Sequence, residues 1–342
     1  MNVLVVGGTG YIGSHVCLDL AGRGHRVTSV ARRSGSTDPA RAAQLEAAGV
    51  VLRHADLLRR GALNELDGGE FDVIVHGVCS FLEPATGESL TLRAAEEVVA
   101  LAKRCPRRPL LVDLSSNLVY TPPAEGVLPN EDHPCSPETV HGRNKRAAEV
   151  MLQESGLPWV LLRIGQVYGG PGSSFDWVMV DPIRKQEFPV PCAGENRVAL
   201  VHVDDVAQAV RRVIEGPVRN RAFNIASGDV ALTLGQVFDE VARGFRLPSP
   251  RRLPLTGALV FAWFSEHGAR LFGREPKLVV DMIRVLSANR SLDIARARVE
   301  LGFEPAWPDT LAGIRAAYGP VFTGERPVFN PGGRLSAAMG TS

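Results

Sequence analysis

The sequence predicts an α/β fold, a doubly wound parallel sheet with a smaller, discontinuous C-terminal lobe. Three observations carry this expectation. Short apolar runs alternate with stretches of helical periodicity from the first residues to about Arg163, the pattern of repeated βαβ units. The first run, MNVLVV, leads straight into glycines at Gly7, Gly10 and Gly13 and then into a helix-like segment. A chain of 342 residues with 45 % hydrophobic content can fill one large core or two ordinary ones.

Strands are expected at Asn2–Val6, Arg26–Val30, Val50–Arg53, Val73–Val75, Leu110–Leu114 and Trp159–Arg163, each a short apolar run. Between them, Tyr11–Arg23, Ala40–Ala48, Ser89–Arg104 and Thr139–Ser155 have helical spacing. After that the chain changes character. Pro- and Gly-rich stretches at Gly169–Gly172, Pro189–Gly194 and Leu247–Pro254 separate shorter elements, with further strands at Val198–His202 and Ala222–Ile225. The expected organisation is a sheet domain over 1–167, rejoined by 200–227, a second lobe from 168–199 and 228–320, and a loose tail over 321–342 that begins after Tyr318.

The charge balance removes several function classes. Lys and Arg number 38 against 37 Asp and Glu, a net charge of +1, so no basic stripe can track a nucleic acid and no acidic block forms a disordered arm. The longest apolar segment, around Ala258–Phe264, is far below the roughly 18 residues of a membrane span. The five cysteines, Cys17, Cys79, Cys105, Cys135 and Cys192, form no C-x-x-C pair, and the chain starts with a strand-like run instead of a basic, cleavable leader. A cytoplasmic protein with no metal, nucleic-acid or membrane partner is expected.

The glycine turn is the strongest local signal. Glycine at a tight strand-to-helix turn lets the backbone approach a pyrophosphate, and the unpaired N–H groups of the helix start favour its charge. Gly7, Thr9, Gly10, Tyr11, Ile12 and Gly13 are therefore candidate cofactor contacts of a Rossmann-type sheet. An NAD site places an acid at the end of the second strand to hold the ribose hydroxyls. Here the position is Ala31, followed by Arg32 and Arg33, which can pair with a 2′-phosphate, so NADP(H) is expected over NAD(H).

Further along, the chain resembles the extended short-chain dehydrogenase/reductases of the NAD-dependent epimerase/dehydratase superfamily. The turn resembles T-G-x-x-G-x-x-G with Val6 for threonine, and His54-Ala55-Asp56-Leu57 resembles G-D-[LI], which implies that Asp56 and Leu57 meet the adenine. Val75-His76-Gly77-Val78 resembles H-x-A-A, placing Gly77 at the cofactor. Ser115-Ser116-Asn117-Leu118-Val119-Tyr120 resembles S-S-x-x-V-Y and implies Ser116 as the catalytic serine. Leu162–Gly169 is similar to the R-x-x-N-V-Y-G turn with Gln166 for asparagine, and Val201–Ala207 to H-V-x-D-x-A. The likeness runs over roughly 1–320 and implies a substrate-binding C-terminal lobe and a homodimer built on the helices Ser89–Arg104 and Thr139–Ser155.

One substitution stands at the centre. The family's Y-x-x-x-K, two side chains on one helical face, reads His141-Gly142-Arg143-Asn144-Lys145, so Lys145 is kept and tyrosine is replaced by His141. Histidine starts near pKa 6.5, against about 10 for tyrosine, so it is the readier base. Its ring ends roughly 2 Å short of a phenol oxygen, and a bridging water can restore hydrogen-bond reach. The catalytic set expected is Ser116, His141 and Lys145. Nucleotide-sugar enzymes of this family carry an arginine four residues before the H-V-x-D histidine, where Val198 stands here. The segment Leu253–Gly273 resembles the hydroxysteroid-dehydrogenase and dihydroflavonol-reductase branches, with Leu255, Ala258, Leu259, Phe261, Ala262 and Phe264 as an apolar cleft lining. The leading expectation is an NADP(H)-dependent oxidoreductase acting on a hydroxyl or carbonyl of a moderately apolar small molecule. The alternatives are a nucleotide-sugar epimerase or dehydratase with bound NAD, and a non-redox dinucleotide-binding sensor or scaffold.

Overall fold

A computed structural model describes residues 1–31, 38–66, 71–79, 89–186, 190–191, 194–271 and 280–324. In chain order the strands are β1 (Asn2–Val6), β2 (Arg26–Ala31), β3 (Val51–His54), β4 (Val73–His76), β5 (Leu110–Ser116), β6 (Trp159–Ile164), β7 (Gln166–Tyr168), β8 (Val190–Pro191), β9 (Leu200–His202), β10 (Arg221–Ile225) and β11 (Arg252–Leu253). The helices are α1 (Tyr11–Gly22), α2 (Pro39–Ala47), α3 (Leu90–Arg104), α4 (Val140–Gln153), α5 (Asp181–Arg184), α6 (Val203–Glu215), α7 (Leu234–Gly244), α8 (Leu255–Leu271), α9 (Val280–Ser287), α10 (Ala295–Leu301) and α11 (Thr310–Phe322).

Seven strands form one sheet in the order β10-β6-β5-β4-β1-β2-β3, with every neighbouring pair parallel. Parallel strands need crossovers, and the crossovers cover both faces. Successive side chains alternate between those faces. Val3 and Val5 join Val16 and Leu20 of α1 and Val206 and Val210 of α6 in one apolar cluster, whereas Leu4 and Val6 join Val98 of α3 and Ala148 of α4 in another. A further cluster, around Tyr168, Phe175, Met179, Val237, Ile314 and Tyr318, fills the region contributed by the later elements. The strand order reverses between β1 and β4, and the crevice at such a switch point is where α/β sheets bind ligands.

Most expected elements lie within two residues of those observed, and two differences have physical causes. β9 starts at Leu200, because Val198 N–H bonds to Leu232 O instead of pairing with β7, and the ladder with β7 opens with Gln166 N–H donating to Ala199 O. The ordered chain also continues past Tyr318. The Tyr318 hydroxyl is buried and donates to Asp176 Oδ1 at 2.6 Å, and Phe322 packs edge-on against Phe245 at 4.9 Å, which holds the last turn of α11.

A buried polar network joins α4 to the sheet. Arg163 of β6 donates from Nε to Glu149 Oε1 and from Nη2 to Glu149 Oε2, both at 3.0 Å. Ser115 of β5 donates to the same carboxylate at 2.7 Å, and Arg146 at 2.8 Å. The other Arg163 nitrogen meets Tyr120 Oη and Glu131 O, and Tyr120 donates to Asn224 Oδ1 of β10 at 2.6 Å. A planar, bidentate pair with its remaining donors satisfied tolerates desolvation, but removing one partner strands the other. Glu149→Gln is therefore expected to cost about 3–5 kcal/mol in urea unfolding. Asp181→Ala, which breaks the exposed pair with Arg184, should cost no more than about 1 kcal/mol.

Candidate active site

The glycine turn connects β1 to α1 at the switch point. Gly7 has φ +93°, and its N–H bonds to Val30 O at 3.0 Å. A Cβ on Gly13 would lie 2.2 Å from Gly7 O, so only glycine lets the helix start this close to the turn. Gly8 is equally constrained, since its Cβ would meet Ser29 Oγ at 2.4 Å. Gly10 caps α1 with extended backbone and no side-chain bond, leaving the first helical N–H groups without side-chain acceptors. Tyr11 and Ile12 are half-buried at that start, and Arg41 of α2 donates to Thr9 O at 3.4 Å. Gly77 follows β4, and its N–H bonds to Val6 O, so it sits against the turn. These residues form a backbone cradle of the kind a pyrophosphate requires.

Ser116 ends β5 and caps the 3-10 turn Asn117–Val119, its Oγ accepting from Leu118 N at 3.2 Å. α4 packs directly on that turn. A Cβ on Gly142 would lie 2.2 Å from Leu118 O, so the glycine between His141 and Arg143 sets the close approach. Thr139 caps the helix by accepting from Gly142 N at 3.0 Å. His141 is half-buried in the first turn of α4, and Lys145 lies one turn further on the same face. Lys145 is 2 % exposed, and its Nζ donates to Leu114 O at 2.7 Å and to Val78 O at 3.4 Å. An ammonium has three donors. The two carbonyls account for two of them.

Beneath Lys145, His76 and Asp113 are register partners on β4 and β5. His76 Nδ1 donates to Asp113 Oδ1 at 2.6 Å, and both side chains are 0 % exposed. Burial alone would push the Asp113 carboxyl up, but the Lys145 ammonium and the His76 hydrogen bond hold it below the usual carboxylate range. His76 and Asp113 follow Ile74 and Leu111 by two residues, so they point to the face covered by α3 and α4. At the other end of the crevice Asp56 is exposed, with Oδ1 accepting from Leu58 N, whereas Leu57 is enclosed with Val6, Val30 and Leu63. Arg32 and Arg33 lie outside the described residues. Ala31 is buried at the end of β2.

A model of the NAD-dependent epimerase/dehydratase family matches residues 3–226. The chain belongs to that family. Its curated relatives include a 3-diazoavenalumate denitrifying reductase of a Streptomyces species, 28 % identical over 329 residues that span 92 % of this chain and 99 % of the relative. They also include UDP-glucose 4-epimerase 4 of Oryza sativa subsp. japonica, 27 % identical over 302 residues, covering 74 % and 78 % of the two chains. The structure of UDP-glucose 4-epimerase from Thermotoga maritima superposes with a TM-score of 0.71 at 20 % identity, covering 95 % of this chain and all of the other. The family makes this protein a nicotinamide-dinucleotide enzyme of the short-chain dehydrogenase/reductase superfamily, with a Rossmann-type sheet.

The residues expected to line an apolar cleft lie on α8. α8 buries Ala258 and Ala262, four residues apart, against Ile283 of α9, and leaves Leu255, Phe261 and Phe264 among the exposed side chains. A helix buries one stripe, and the small residues supply it. Sequence reasoning also missed His76 with Asp113 and Glu149 with Arg163. For His76, Asp113 and Arg163 the signal was a charged or titratable residue inside an apolar strand run, which a doubly covered sheet admits only with partners; Glu149, in α4, carries no such signal. Among the described residues no group of His, Cys, Asp and Glu is arranged to hold a metal. No helix among them is long and apolar enough to cross a membrane.

The H-V-x-D element closes the back of the site region. His15 of α1 donates to Asp204 Oδ1 at 2.8 Å, and His202 Nδ1 accepts from Asp204 N at 3.2 Å. Burial pushes His202 down to about 4. Burial likewise raises Asp205 to about 6, although the Ala306 and Trp307 N–H groups oppose the rise. An unfolded aspartate titrates near pKa 3.9, so the native state binds the extra proton between about pH 4 and 6, and the stability linked to this group falls as pH rises through that window. Asp205→Asn should therefore be the more stable protein at pH 7, by up to about 3 kcal/mol, with the difference gone near pH 4, as urea unfolding at both pH values would measure.

Proposed function

We propose that the protein is an NADP(H)-dependent oxidoreductase that acts on a hydroxyl or carbonyl of a moderately apolar small molecule. The observation that carries this reading is Lys145, a buried ammonium held by two backbone carbonyls one helical turn from His141, on the helix packed against the Ser116 turn. The cradle of Gly7, Gly10, Gly13 and Gly77 fits a dinucleotide, because Gly7 and Gly13 let the turn close on Gly77 and on the start of α1, where no side chain caps the first helical N–H groups. When bound, the nicotinamide supplies or accepts the hydride. Lys145 would hold its ribose, Ser116 Oγ would polarise the substrate oxygen, and His141 would move the proton, directly or through one water. The curated reductase that matches almost end to end supports reduction as the direction of the family's chemistry. Ala31 supports NADP(H), because no acid stands at the end of β2 to repel a 2′-phosphate, and Arg32 and Arg33 follow in sequence as its partners.

The substrate lobe, a homodimer through α3 and α4, and a cytoplasmic location belong to the same reading. The four described cysteines are free thiols, in keeping with a reducing compartment. The epimerase reading is favoured by the curated epimerase relative and disfavoured by the buried Val198 at the position of the family's diphosphate arginine. Transfer of deuterium from C4-deuterated NADPH to a panel of ketones and aldehydes separates these readings. Transfer to at least one carbonyl is expected, and His141→Phe should slow it by about 100-fold or more while dinucleotide affinity stays unchanged. Tight dinucleotide binding without transfer to any acceptor would reject the oxidoreductase reading.

A further inference from the structure

Among the described residues two arginines are buried, and they live in opposite environments. Arg163 spends its donors on Glu149, Tyr120 and Glu131. Arg290, only 9 % exposed, has one acceptor for its five donors among the described residues: Val285 O, 3.4 Å from Nε. Among the described residues no carboxylate forms an ion pair with it, and Glu138, the acid whose field it feels, is exposed. Burial pulls the Arg290 guanidinium down from its ordinary value, as expected for a cation without a counter-ion. None of its nitrogens is among the fully buried atoms without a partner, so the open side of the fork can take up an anion that binds the native protein.

Its position says where that anion belongs. The Arg290 N–H bonds to Arg197 O at 2.8 Å, and its carbonyl accepts from Asn117 Nδ2 at 3.4 Å. Asn117 is the first residue of the turn capped by Ser116, so Arg290 is tied by its backbone to the residue next to the proposed oxygen-polarising serine. Glu138, beside the cap of α4, approaches from the helix that carries His141 and Lys145. The Arg290 backbone therefore stands at the Ser116 turn, while its guanidinium lies by the end of α9 and within the field of Glu138, just before α4.

We propose that Arg290 receives a carboxylate of the substrate, so that the enzyme acts on a small organic acid whose reacting carbonyl or hydroxyl meets Ser116. One planar fork matches one carboxylate in charge and in geometry. A nucleotide diphosphate calls for more than one cation, and the residue in the family's diphosphate position is the buried Val198. The inference rests on the reading of Ser116, His141 and Lys145 as the reacting group and deepens it by naming the substrate class.

The test uses the full chain as wild type, Arg290→Met and Arg290→Lys, each titrated calorimetrically with benzoate, trans-cinnamate and their methyl esters, with and without saturating NADPH. The wild type is expected to bind at least one carboxylate. Arg290→Met should weaken that binding by about 10- to 100-fold, Arg290→Lys should fall between, and the methyl esters should not distinguish the three proteins. Without ligand, Arg290→Met should unfold at the wild-type temperature or above it. Equal carboxylate responses in wild type and Arg290→Met, including none in either, would overturn the proposal. So would a melting temperature of Arg290→Met several degrees below wild type, because the guanidinium would then be part of the fold. NADPH titration of the wild type in the same series keeps the two readings apart. Failure there rejects the cofactor assignment, whereas normal NADPH affinity with equal carboxylate responses rejects only the role of Arg290.

Discussion

The two parallel hydrogen bonds between Arg163 and Glu149 fix how α4 sits on the sheet, and the site depends on that placement. Glu149 lies four residues after Lys145, on the same face of the helix. Once its carboxylate is locked to β6 and to Ser115 of β5, the rotation of α4 is set, and Lys145 must point at the carboxyl ends of β4 and β5. The contact of Gly142 with Leu118 O then sets the depth of the first turn. A helix held by apolar contacts alone could slide by fractions of a turn at small cost. A buried ion pair with its hydrogen bonds satisfied has one low-energy register, because any slip strands a charge in the interior.

A second polar pair, His76 with Asp113, sits in the same layer and does a different job. Its negative charge lies under Lys145, so the ammonium is balanced from below without a partner that would block its access from above. The backbone carbonyls of Leu114 and Val78 orient it, and carbonyls carry no charge to compete with a ligand for the cation. The protein thus keeps one lysine buried and oriented. Arg290 shows the same economy on the substrate side, where the balancing anion is left for the ligand to bring.

Much of this was legible in the sequence. The strands and the glycine turn follow from periodicity and spacing, because local geometry dictates them: Gly13 must be glycine if β1 is to turn into α1 at this distance, whatever else the chain does. Lys145 and Ser116 stand out in the sequence through their resemblance to the family's motifs. The polar layer was not read, since pairing between Asp113 and His76, or between Glu149 and Arg163, depends on which strands become neighbours, and that is a property of the sheet order and not of any one segment. α8 illustrates the opposite limit. Its aromatic residues have the spacing of a buried face, yet the helix packs through Ala258 and Ala262, because the surface offered by α9 admits small side chains. The substitution of His141 for tyrosine was visible at once. Its chemical consequence depends on reach and solvation, which spacing does not encode.

The proposed function comes down to one buried lysine placed to hold the ribose of a nicotinamide dinucleotide, with NADPH as the proposed cofactor. Titration calorimetry of NADPH and NADH into the wild type and Lys145→Met tests it most directly. NADPH should bind the wild type more tightly than NADH, and Lys145→Met should weaken NADPH by about 10- to 100-fold without changing the fold. Equal affinity for the two dinucleotides, or an NADPH affinity indifferent to the loss of Lys145, would contradict it.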